Sequence, residues 1–67
     1  MKFETFGLNV AKERMKQGLS AYELSFRIGK DASYINKLEN AKINPSLKTM
    51  ILISEELQKN ICDFFKE

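Results

Sequence analysis

The sequence predicts a small all-α domain of four to five helices, and three observations carry that expectation. Apolar residues recur at intervals of three and four, as one face of a helix requires. No β-branched stretch alternates with polar residues in the manner of a strand, and the isoleucines themselves fall at helical spacings. Gly18, Gly29 and Pro45 then cut the chain into pieces of helical length, with no linker, repeat or low-complexity segment between them.

The first helix is expected from about Phe3 to Gln17, with Phe3, Phe6, Val10 and Met15 turned inward and Gly18 as its left-handed stop. Leu19 re-enters the core. Ser20-Ala21-Tyr22-Glu23 reads as a capping box, because the Ser20 hydroxyl can accept from the Glu23 amide while the Glu23 carboxylate reaches back to the Ser20 amide. A second helix of about two turns starts there, carries Leu24 and Ile28 inward and ends at Gly29. Asp31 is placed to cap a third helix running to about Asn40, with Ile35 and Leu38 inward. Asn44-Pro45-Ser46 forms a turn and a serine cap for a fourth helix, whose stripe is read as Leu47, Met50, Ile51, Ser54 and Leu57. Asn60 and Asp63 cap a short fifth helix.

Sixty-seven residues make one domain, 1–67, and a hydrophobic share of 43% excludes a disordered tail. A domain this small buries only about 60% of its unfolded surface, so it folds by efficient packing or with a partner chain. There is no histidine, and Cys62 is the sole cysteine, which excludes an intramolecular disulfide and any Cys/His zinc cluster. Cys62 is expected as a small apolar filler, no basic neighbour in sequence activating its thiol. No metal or cofactor is expected. The longest strictly apolar run, Met50-Ile51-Leu52-Ile53, falls far short of the about 20 residues that span a membrane. The opening Met-Lys-Phe-Glu-Thr-Phe lacks the apolar stretch of a secretory signal, and a cytoplasmic protein is expected. Catalysis is the least supported class: no histidine, acid pair or phosphate-binding loop offers acid–base or nucleophilic chemistry.

Charge is unevenly placed within a net +2: residues 1–48 carry nine basic and five acidic side chains, residues 49–67 two and four. An anionic partner for the front half is therefore permitted. Two short helices joined by a glycine-containing turn form the pattern of a helix-turn-helix, whose second helix lies in the DNA major groove. The fit is geometric, since a helix about 10–12 Å across enters a groove about 12 Å wide.

Specific residues sharpen the pattern. Leu19-Ser20 through Leu24, Ile28-Gly29, Ile35 and Leu38-Glu39-Asn40-Ala41-Lys42 closely resemble the phage-repressor and Cro type of helix-turn-helix, the xenobiotic response element family. Val10 and Arg14 upstream, with Asn44-Pro45-Ser46-Leu47 and Leu57 downstream, extend the resemblance over about residues 8 to 65. It implies a lambda-repressor-like fold with its helix-turn-helix at about 20–40, and an inward ion pair between Arg14 and Glu39. It further implies a sequence-specific regulator, of repressor type, binding double-stranded DNA as a homodimer on a palindromic operator.

This chain departs from the family pattern at three alanines. Ala21 and Ala32 stand where many relatives place polar side chains for a phosphate and a base, and Ala41 replaces a common glycine, so the third helix is expected to end differently. Base edges are left to Ala32, which can touch a thymine methyl, and to Ser33, Asn36 and Lys37. Ser20, Tyr22, Lys30, Tyr34, Asn40 and Lys42 flank them as phosphate contacts. Phe26, Leu52, Ile61, Phe64 and Phe65 exceed what one small core needs, Phe64 and Phe65 not being expected both to point inward. Leu52, Ile61, Phe64 and Phe65 are therefore assigned to a dimer surface, as relatives resembling this chain usually pair through their C-terminal helices. Two other readings stay open: an antitoxin whose DNA-binding domain also holds a toxin, and a protein-interaction module that has lost DNA affinity.

Overall fold

The computed structural model describes residues 2–67; Met1, where the expected domain begins, lies outside the described residues. Four α-helices follow one another, α1 (Phe3–Lys16), α2 (Ala21–Arg27), α3 (Tyr34–Glu39) and α4 (Leu47–Glu56), and a 3-10 turn of helix spans Ile61–Phe65. Among the described residues there is no strand. Phe6, Val10, Leu24, Ile28, Ile35, Leu38, Met50, Ile53, Leu57 and Phe64 form one buried cluster to which every helix contributes.

Local signals act as the sequence suggests at most helix ends. Gly18 and Gly29 take left-handed φ values of 71° and 76°. Ser46 accepts from the Thr49 amide at 3.1 Å and so starts α4 directly after Pro45. Asn60 stands at the cap of the last helix without a side-chain cap bond.

Four inward assignments need correction. Phe3 is 44% exposed and Met15 61% exposed. Phe3 opens its helix with no turn above it, and Met15 lies five residues past Val10, a rotation of about 140° that turns it away from the core. In α4 the buried stripe is Thr49, Met50, Ile53, Ser54 and Leu57, while Leu47 and Ile51 face outward. Met50-Ile51-Leu52-Ile53 is apolar all the way round, so periodicity leaves the rotation open and packing chooses it.

The chain end corrects a second group. Phe64 is fully buried, its ring centroid 5.7 Å from that of Phe6 in an edge-on arrangement, and the Phe65 ring lies 5.2 Å from Phe6. Both therefore pack inward. Successive residues of a 3-10 helix are about 120° apart, a spread that one large ring can span from both sides. Asn9 holds the segment in place, its Nδ2 donating to Phe64 O at 2.9 Å and Lys66 O at 2.8 Å. Phe64 thus leaves the expected dimer surface, and Leu52, Ile61 and Phe65 remain only half-exposed against the core. Cys62 points outward and fills nothing.

Helix α3 ends in the left-handed conformation despite lacking a glycine. Ala41 has φ 58°, with its amide bonded to Leu38 O and the Lys42 amide to Lys37 O. A Cβ in that region costs about 1–2 kcal/mol, partly offset by the greater unfolded entropy of glycine. Ala41→Gly should therefore raise stability by about 0.5–1 kcal/mol in urea unfolding; a loss would mean that the strain is not stored there.

Candidate nucleic-acid interface

Helices α2 and α3 are set against each other by a buried hydroxyl. Ser25 is fully buried; its Oγ donates to Ala21 O at 2.8 Å and accepts from the Ile35 amide at 3.0 Å. One of the amides that opens α3 is thereby satisfied from inside α2. Sequence reasoning gave Ser25 no role, although a serine between Leu24 and Ile28 on the inward side is a polar group that needs a partner.

Both halves of the capping box at the start of α2 are present: the Glu23 amide donates to Ser20 Oγ at 2.9 Å, and the Ser20 amide to Glu23 Oε1 at 3.2 Å. Arg14 then ties α1 to both ends of the motif. Its Nε and Nη2 donate to Glu39 Oε2 and Oε1 at 2.7 and 3.0 Å, and its Nη1 donates to Leu19 O at 2.9 Å. Both side chains are largely buried, at 14% and 10% exposure. The hydrogen-bonded carboxylate raises the Arg14 pKa against the opposing effect of burial, with the Glu39 charge adding to the rise.

The entry to α3 differs from expectation. Asp31 does not cap the helix, which begins at Tyr34. Its Oδ1 instead accepts from the Ser33 amide at 2.9 Å and the Ser33 hydroxyl at 2.7 Å, closing a turn over residues 31–33. Those bonds, the hydroxyl first, hold the Asp31 carboxyl below its ordinary pKa, with a smaller contribution from the charge of Lys37. The turn is therefore supported above the unfolded-state pKa of an aspartate and loses that support as pH falls through the lowered value.

Ala32, Ser33, Asn36 and Lys37 are all exposed on this turn and on the side of α3 away from Ile35 and Leu38. Ser33 has committed its hydroxyl proton to Asp31, so it meets a partner as an acceptor. Asp31 adds a carboxylate beside Lys37, a feature that sequence reasoning took only for a cap. Of the residues assigned to phosphates, Ser20 and Tyr22 stand exposed at the start of α2, the Ser20 oxygen already serving as a cap. The Lys30 ammonium sits 5.2 Å over the centroid of the Tyr34 ring, which packs partly against the core. Past α3, Asn40 Nδ2 donates to Asn36 O at 2.8 Å, and Lys42 is exposed. The group thus brackets α3 at both ends, with Asn40 already occupied by its own helix.

Among the described residues no cluster of His, Cys, Asp or Glu could hold a metal ion, and no helix is long and apolar enough to cross a membrane.

Comparison with known proteins agrees with this geometry. No curated protein sequence matches the chain. The clp gene regulator ClgR from Corynebacterium glutamicum superimposes with a TM-score of 0.89 at 19% identity, over 94% of this chain and 67% of its own, a likeness of fold. The restriction-modification controller protein C.AhdI from Aeromonas hydrophila superimposes with a TM-score of 0.87 at 28% identity, over 94% of this chain and 96% of its own. A helix-turn-helix family model matches residues 10–64, which include the Arg14–Glu39 clamp, the Ser25 bridge and the exposed side of α3. The chain belongs to the helix-turn-helix family of Cro/cI type, a family of DNA-binding transcriptional regulators.

Proposed function

We propose that residues 1–67 act as a single DNA-binding domain that reads duplex sequence with Ala32, Ser33, Asn36 and Lys37. In this reading the protein is a cytoplasmic repressor that occludes polymerase as a homodimer on a palindromic operator. The observation that carries it is the contrast across α3: Ile35 and Leu38 are buried, the opposite side is open, and the helix between them is held by Ser25 and by the Arg14–Glu39 pair. The likeness to a restriction-modification controller protein, over 96% of that protein's chain, supports a regulatory role for this domain.

Selection of bound fragments from random duplex DNA tests binding and yields half-site and spacing together. If a dimer neutralises about four to eight phosphates, affinity should fall with salt at a log–log slope of magnitude about 4 to 7. Asn36→Ala and Lys37→Ala should each lose about 1–3 kcal/mol on the selected site and little on random DNA, while Lys42→Ala weakens both alike. Anisotropy titrations on the two DNAs measure the difference, and equal losses for all three variants would contradict the division into base and phosphate contacts.

A two-fold dimer would set the recognition helices about 34–36 Å apart, one turn of DNA. Leu52, Ile61 and Phe65 are the C-terminal apolar residues still partly exposed to form it. A charge at Phe65 would disturb its packing on Phe6, so sedimentation of the unaltered chain with and without operator is the better test. A chain monomeric in both states contradicts the dimer.

A further inference from the structure

The outward face of α2 carries two exposed large apolar side chains that neither the core nor the side of α3 assigned to bases uses. Phe26 is 77% exposed and Tyr22, one turn earlier, 58% exposed. Together with Glu23 and Arg27 they line an open, mostly apolar groove. Tyr22, assigned above as a phosphate contact, also lends its ring to this lining. Arg27 makes only a loose ion pair with Glu56, at 4.0 Å between half-exposed side chains, so its charge is readily redirected.

We propose that a second copy of this chain docks on this face, α2 against α2 in antiparallel orientation. Glu23 and Arg27 lie on the same flank of the aromatic pair, one turn apart. An antiparallel neighbour brings like flanks together in reversed order, so Tyr22 of each copy meets Phe26 of the other and Glu23 of each meets Arg27 of the other. One two-fold operation thus covers four aromatic rings and pairs four charges. A partner with a single sign of charge would oppose either Glu23 or Arg27, and a parallel copy loses the match; the face is complementary to itself.

Its size sets its strength. Even fully covered, these side chains bury about 150–250 Å² each, so the four fall below the roughly 1,200 Å² at which standard interfaces begin. The contact is therefore weak, with a dissociation constant on the order of 0.1–1 mM, and acts where copies are concentrated or held side by side.

Sedimentation and amide line widths, followed on the protein alone from the millimolar to the low micromolar range, test this without DNA, so failure leaves the DNA reading standing. The wild-type chain should show a self-association that Phe26→Ser weakens by about tenfold or more. Glu23→Arg and Arg27→Glu should each weaken it as well, and the double variant should return it to within about threefold of wild type, because the reversed charges again face each other. Circular dichroism melts check each fold. Glu23→Arg removes half of the capping box, so if it fails to fold, Phe26→Ser and Arg27→Glu decide. No association at millimolar concentration would overturn the proposal and leave the face to a different protein. Association unchanged in Phe26→Ser and Arg27→Glu would also overturn it and assign the contact to the C-terminal surface. Single variants that lose association without recovery in a folded double variant would refute the antiparallel arrangement.

Discussion

Glu39→Ala should lower the free energy of unfolding by about 2–3 kcal/mol, a large share of the about 3–10 kcal/mol expected for a domain of this length. Two charge-assisted hydrogen bonds are lost, and the Arg14 guanidinium is left 14% exposed with only Leu19 O as partner. A fully buried pair broken this way costs about 3–5 kcal/mol; the water still reaching both side chains places this pair below that range. The damage is not confined to one helix, because the carboxylate belongs to the last residue of α3 and the guanidinium to α1. Urea unfolding of Glu39→Ala, Arg14→Leu and the double variant separates the pair from its parts, since the coupling appears as non-additivity. A loss under about 0.5 kcal/mol for Glu39→Ala would make the pair no more than a surface ion pair.

Gly7→Ala is expected to be destabilising where helix propensity alone says the reverse. Alanine inside a helix is favoured over glycine by about 1 kcal/mol. At Gly7, however, an added Cβ would stand 2.6 Å from Leu38 O and 3.2 Å from the Glu39 Cα. Both are backbone atoms, so no side chain can swing aside, and α1 must back away from the end of α3. Overpacking costs about 1–3 kcal/mol, and with backbone as the obstruction the cost falls in the upper part, about 2–3 kcal/mol, which after the propensity gain leaves a net loss of about 1–2 kcal/mol. For a domain of this size that corresponds to a fall in Tm of about 5–15 °C. The displaced residues include Glu39, so the Gly7 and Glu39 substitutions should be non-additive. A Tm raised by Gly7→Ala would show that the two backbones do not approach so closely in solution.

Much of the chain's organisation is legible in its sequence. Ser20 with Glu23, Ser46 after Pro45, and the glycines at 18 and 29 mark where helices start and stop, and each acts through bonds that close within a few residues. The family resemblance rested on the same stretch, from Leu19 to Lys42, and singled out Arg14 and Glu39 across 25 positions, a pairing that spacing alone does not reveal. The exposed side of α3 followed from the inward positions of Ile35 and Leu38.

Most other features depend on how the helices meet, and one, the turn into α3, on a choice between two local hydrogen-bonding patterns that spacing leaves open. The apolar run at residues 50–53 offers several inward faces, and packing selected Met50 and Ile53 while leaving Ile51 outside. Asp31 and Ser33 both suit a helix cap, and their mutual hydrogen bonds moved the start of α3 to Tyr34. Phe64 and Phe65 read as surplus until Asn9, 55 residues earlier in the chain, secured the end of the chain beside Phe6. Gly7 carries no local signal because its reason is a backbone more than thirty positions away, and Ser25 carries none that names its second partner, which lies in the next helix. The all-helical class, the helix ends marked by Gly18, Ser20, Gly29 and Ser46, and the family are readable from the chain alone, since these depend on bonds within a turn or on a recognisable run of residues. The rotation of α4, the burial of Phe64 and the close approach at Gly7 come from the tertiary structure, because each depends on which surfaces meet across long separations in the chain.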